Sequence, residues 1–97
     1  MTNSTNRFQV SSTYQPNIRR ELYTVVDTAQ AGKTVWDGTY PLNLAVSQAT
    51  RMNKIYDVCR EMLALLPTEL LNSEGITTMV NGPVQEIALT EERNSRI

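Results

Sequence analysis

PLNLAVSQATRMNKIYDVCREMLALL, residues 41–66, reads as one long helix. Leu42, Ala45, Ala49, Met52, Tyr56, Cys59, Leu63 and Leu66 recur three and four residues apart, the period of a helix with one apolar stripe. Pro41 suits the first helical position, where a missing N–H costs nothing. Pro67 ends the helix by withholding a donor and crowding the preceding turn. A helix of that length measures about 39 Å, against a radius of gyration of about 13 Å for a compact chain of this size. It therefore spans the domain or projects from it. Its first half is narrow and small at Ala45 and Ala49, which admits a close neighbour. From Met52 onward Ile55, Val58, Met62 and Leu65 flank the stripe, and the apolar arc covers about half the circumference, wider than one packing seam needs. Lys54, Asp57, Arg60 and Glu61 take the wet face. Two coverings are expected for the second half: the chain's own sheet, and either its C-terminal segment or a second copy.

The 97 residues allow one domain with a modest core. Nine basic and ten acidic residues nearly cancel, which points neither to a polyanion partner nor to a membrane surface. With a single cysteine, Cys59, no intrachain disulfide forms, and its place in the stripe reads as a buried thiol. Histidine is absent, so imidazole acid/base chemistry and histidine metal ligation are excluded. No cofactor and no metal are expected. No apolar run reaches the length of a membrane span, and residues 1–17 lack the pattern of a secretion signal. A cytoplasmic location is expected.

Residues 1–7 are polar and expected to fray. Phe8, Val10 and Ser12 alternate with Gln9 and Ser11, which suggests a short strand over 8–13. Residues 18–31 carry two patterns. Ile18, Leu22, Val25 and Ala29 fit a helix. The β-branched and aromatic runs around Tyr23–Val26 and Thr34–Trp36 fit strands, and the glycine-bearing link between them fits a hairpin. The hairpin reading is taken, with strands at 20–27 and 33–37 and a turn at Asp37-Gly38. Trp36 is expected to pack under the helix. After Pro67, TELLNSEG reads as one helical turn stopped at Gly75. Residues 76–80 read as a strand. Residues 84–89 read as its hairpin partner, or as a helix opened by Pro83 with Val84, Ile87 and Ala88 on one face; the hairpin is preferred. Residues 91–97 read as a charged, loose tail. The fold expected is α+β, a small antiparallel sheet on one long helix.

LYTVVDTAQAGKTVWDGTYPLNLAVSQATRMN, about a third of the chain, resembles a ββα pattern of short bacterial and phage proteins. In that pattern a Tyr-x-Val-Val-Asp-Thr strand turns at Gly-Lys. A second strand ends near a tyrosine, and a helix follows with alanines four apart and an asparagine, here Ala45, Ala49 and Asn53. The resemblance implies an accessory protein and carries over no functional residue.

Gly32-Lys33-Thr34 echoes the end of a phosphate-binding loop. Position 27 is Asp where that loop needs glycine, and a strand rather than a helix is expected to follow. Asp27 and Asp37 could pair for acid/base work or a hard cation, but aspartates at strand ends are commonly turn formers. Arg19, Arg20, Tyr23 and Lys33 form the nearest approach to a nucleic-acid or ligand face, interrupted by Glu21 and Asp27. The apolar surplus at Ile55, Val58, Met62 and Leu65 is the most informative feature. Uncovered, it marks a protein interface. The function expected is non-enzymatic protein binding by a small homo-oligomeric accessory protein, in sharper form a phage-type inhibitor of a host complex. A nucleic-acid-binding regulator using the hairpin is the first alternative, and a small-ligand protein or enzyme the second.

Overall fold

The computed structural model describes residues 7–39 and 41–97. It is α+β: a three-stranded antiparallel sheet packed against a long helix. The strands β1 (Phe8–Gln15), β2 (Arg20–Asp27) and β3 (Lys33–Thr39) lie in the order β1-β2-β3. Four helices follow: α1 (Leu42–Ala64), α2 (Thr68–Leu71), α3 (Glu74–Met79) and α4 (Pro83–Ser95). Contacts divide the chain into two compact units, Met1–Lys54 and Ile55–Ile97, with the division falling inside α1.

In the first unit the β1–β2 register is unbroken, from Phe8 opposite Asp27 to Gln15 opposite Arg20. β1 outlasts the expected strand over 8–13 by two residues, because the polar end pairs as well as the apolar start. A turn over residues 16–19 joins the strands, with Arg19 in the left-handed region at φ 53°. The second link is a single 3₁₀ turn, Thr28–Gln30, capped by Asp27 and closed by Ala31 and Gly32 at φ 57° and 78°. The strand reading of 20–27 therefore prevails over the helical reading of 18–31. Against β2, β3 carries two register irregularities, and Asp37-Gly38, expected as a turn, lies inside it. Gly38 leaves room for a neighbour there, since a Cβ would stand 2.5 Å from Leu22 Cγ. Trp36 is partly buried and opposes the fully buried Val25.

Phe8, Val25, Ala45, Ala49 and Met52 form the core of this unit. Each large member contributes about 1.5–3 kcal/mol by leaving water. Two polar groups are buried with them. The Asp27 carboxylate accepts a fork from Arg7, Nε to Oδ1 at 2.7 Å and Nη2 to Oδ2 at 2.8 Å. It also accepts from the Ala29 N–H and from Gln30 Nε2. Arg7, expected to fray, is thus held. The remainder of the expected loose start, residues 1–6, lies outside the described residues. The second buried group is Asn53, whose carboxamide accepts from the Phe8 N–H at 2.8 Å and donates to the Phe8 carbonyl at 2.9 Å. It satisfies the outward-facing backbone of β1 as one residue of a neighbouring strand would.

In the second unit Tyr56, Leu63, Leu71, Val84, Ala88 and Leu89 are buried. Two expectations are corrected here. Residues 76–80 and 84–89 do not form a hairpin; the first lies mostly in α3 and the second in α4. Ser73 caps α3 by accepting from the Ile76 N–H. Thr77 and Thr78, whose β-branching suggested a strand, donate their hydroxyls to the carbonyls of Ser73 and Glu74 four residues back. Gly75, expected as a helix stop, sits in the first turn of α3. Pro83 opens α4, and Val84, Ala88, Leu89 and Glu92 go inside together, which only the helical period allows. Residues 91–97 are also no loose tail, since α4 runs to Ser95 and its charges are engaged.

α1 begins after Pro41, not on it, and ends at Ala64. Leu65 and Leu66 donate three residues back to Met62 and Leu63, a tighter last turn of the kind common at helix ends.

Candidate interaction surface

The last turns of α1 present two faces to very different surroundings. On one face Tyr56 and Leu63 are buried, and α4 supplies their polar neighbours. The Tyr56 hydroxyl donates to Glu91 Oε1, which also accepts from Arg60 Nη1 at 3.1 Å. Arg60 Nη2 lies 3.4 Å from Glu92 Oε1. Arg96 is held by Glu92 Oε2 at 2.9 Å and donates to the carbonyls of Leu63 and Leu66. The Leu63 carbonyl is among the last four of α1, where intrahelical partners run out, and it also accepts from the Leu66 N–H; the Leu66 carbonyl lies just past the helix. Arg93 does the same for α2, donating to the Leu71 carbonyl at 2.9 Å. A cation over a helix C-terminus also opposes the negative end of its dipole.

On the other face run Ile55, Val58, Met62 and Leu65. Ile55 is partly buried. Val58, Met62 and Leu65 keep 47, 63 and 85 % of their surface in water. The structure thus brings Ile55, Val58 and Met62 into one row on α1, with Leu65 continuing it in the turn just past the helix, and residues of α4 meet the opposite face. Spacings of three, four and three are those of a heptad seam. No charged side chain interrupts the row.

The other candidate residues are placed as follows. Arg19 and Arg20 are exposed at the β1–β2 turn, and Tyr23 is partly buried on β2. Lys33 opposes Asp27, at the far end of β2 from Arg20, about 23 Å away at some 3.3 Å per residue. These residues do not make one patch. Gly32-Lys33-Thr34 leads into β3, so no helix N-terminus stands behind it to hold a phosphate. Asp27 is not poised for proton transfer. Burial pushes its carboxyl up, but hydrogen bonds from Arg7, Gln30 and the Ala29 N–H, with the charge of Arg7, outweigh that and hold it below the usual carboxylate range. Asp37 is exposed on β3. The Cys59 thiol is partly buried, and burial pushes its pKa up, away from thiolate reactivity. Among the described residues no three His, Cys, Asp or Glu side chains are grouped as a metal would need, and no helix is long and apolar enough to cross a membrane.

Sequence reading gave Asn53 no role and missed the two capping arginines. Asn53 gave a signal, since a carboxamide next to Met52 sits on the inward side of a periodic helix. Arg93 and Arg96 lay in a segment whose helical period was not followed far enough. No protein-family model, no curated protein and no solved structure matches the chain.

Proposed function

We propose that this chain is a non-enzymatic protein-binding accessory protein that works as a homo-oligomer, joined through the α1 row of Ile55, Val58, Met62 and Leu65. The observation that carries this reading is the exposure of Val58, Met62 and Leu65 on one helix face while α4 occupies the opposite one. A second copy suits the row because a heptad seam is self-complementary and an uncharged row meets no like charge across a two-fold axis. The sharper form is a phage-type inhibitor that binds a host complex and blocks it.

Light scattering tests the association. The wild type is expected to exceed the 10.9 kDa of one chain. Met62→Glu is expected to lower that mass with its helix content kept, because an unpaired charge is costly in an apolar interface. A wild type that is monomeric at high micromolar concentration overturns the reading, and so does a Met62→Glu protein of unchanged mass.

A further inference from the structure

The two edges of the sheet are built differently. A sheet edge exposes backbone N–H and C=O groups that invite another strand, and proteins blunt such edges with charges, proline or bulges. β3 is blunted: it carries Lys33 and Asp37, and its pairing is irregular in two places. β1 has none of these devices. FQVSSTYQ contains no charge and no proline, and its register with β2 is regular throughout.

The direction of the open groups follows from two bonds. The Phe8 N–H and C=O go to Asn53, not to β2, while the Arg7 carbonyl accepts from the Thr28 N–H. Antiparallel pairing alternates, so Val10, Ser12 and Tyr14 also point their backbone groups outward. No partner meets them among the described residues. Asn53 closes this edge at Phe8, and the strand ends at Gln15, just before Pro16. The outward backbone groups of the open window are those of Val10, Ser12 and Tyr14, and its midpoint is Ser12.

We propose that this window is a homotypic docking strand: residues 10–14 pair antiparallel with the same residues of a second copy about a two-fold axis at Ser12. The three-stranded sheet then becomes one of six strands. Ser12 faces its own counterpart, and Val10 faces Tyr14 of the other copy. That second pairing sets an aromatic against a β-branched side chain, a favourable cross-strand combination, and covers a Tyr14 that is now 54 % exposed. No charge opposes another anywhere in the window. The unblunted edge is consumed, and the two edges that remain exposed are the blunted β3 strands. This contact uses residues distinct from the α1 row and stands or falls without it.

Position-specific cross-linking in a Cys59→Ser background tests the register. Paired Cα atoms are about 5.5 Å apart at hydrogen-bonded sites, within the reach of a disulfide. Ser12→Cys is expected to oxidise to a covalent dimer. Ser11→Cys and Thr13→Cys each stay mostly monomeric alone and link when mixed. Equal cross-linking at all three positions, or none at Ser12→Cys, overturns the proposal. Mass gives a second readout. Met62→Glu is expected to retain a dimer of twice the chain mass, and adding Ser12→Glu to halve it. A Met62→Glu protein that is already monomeric overturns the β1 contact, whereas a Met62→Glu mass equal to wild type overturns the α1 contact instead.

Discussion

Asp27 shows how one side chain can fix a turn and a strand end together. Its carboxylate caps the 3₁₀ turn after β2 and holds Arg7 beside the start of β1. Because its folded pKa lies below the ordinary carboxylate value, its contribution is complete above about pH 4 and is lost as the pH falls through the lowered value. Asp27→Asn removes the charge that Arg7 donates to in a buried setting, which is expected to cost about 3–5 kcal/mol. Chemical denaturation at neutral pH measures that loss. The difference between variant and wild type is expected to shrink in acid; one that stays constant down to low pH would show that the carboxylate's charge is not what stabilises the turn. Sequence placed Asp27 at a strand end and weighed it as a turn former, but could not supply its partner, twenty residues away at Arg7. Asn53 was equally visible and equally mute. Pattern marks a polar residue on an apolar phase, and only the fold shows that the atoms facing it are backbone.

At the level of elements, α1, β2 and β3 were legible because each carries a sustained period. The C-terminal third was not. ITTMV is β-branched enough to suggest a strand, yet its threonine hydroxyls are satisfied inside a helix, and VQEIAL is too short to show its period alone. Extending that window to Glu92 would have placed Val84, Ala88 and Glu92 four apart, on one side of a helix. The charged end, read as a tail, is an integral part of the second unit through Arg93 and Arg96. Arg96→Ala is expected to cost about 1–3 kcal/mol by withdrawing the charged donor that meets the Leu66 carbonyl and shares the Leu63 one. The loss should appear as fraying over residues 63–66, followed by NMR chemical shifts. Shifts confined to α4 would mean that the carbonyls of α1 do not depend on this cap.

For the molecule as a whole, the sequence disclosed the class of fold and the row on α1, because both rest on repeating patterns. It concealed the open edge of β1, because an edge is a property of strand order and of which backbone groups remain outside. Association through either surface ties stability to concentration, since whatever binds only the folded chain raises its melting temperature. The Asn53 carboxamide at Phe8 has one more consequence, which lies in time. Along β1 of an isolated chain, the amides of Gln9, Ser11 and Thr13 face β2 and are expected to exchange slowly with deuterium, while those of Val10, Ser12 and Tyr14 exchange fast. Phe8 belongs to the outward set by geometry and to the slow set by virtue of a side chain forty-five residues further on. Asn53→Ala is expected to move Phe8 alone into the fast set; slow exchange retained there would show that another group shields it. Before α1 docks, Asn53 cannot reach that end of the strand, so a sheet formed ahead of the helix would present Phe8 as well at its edge.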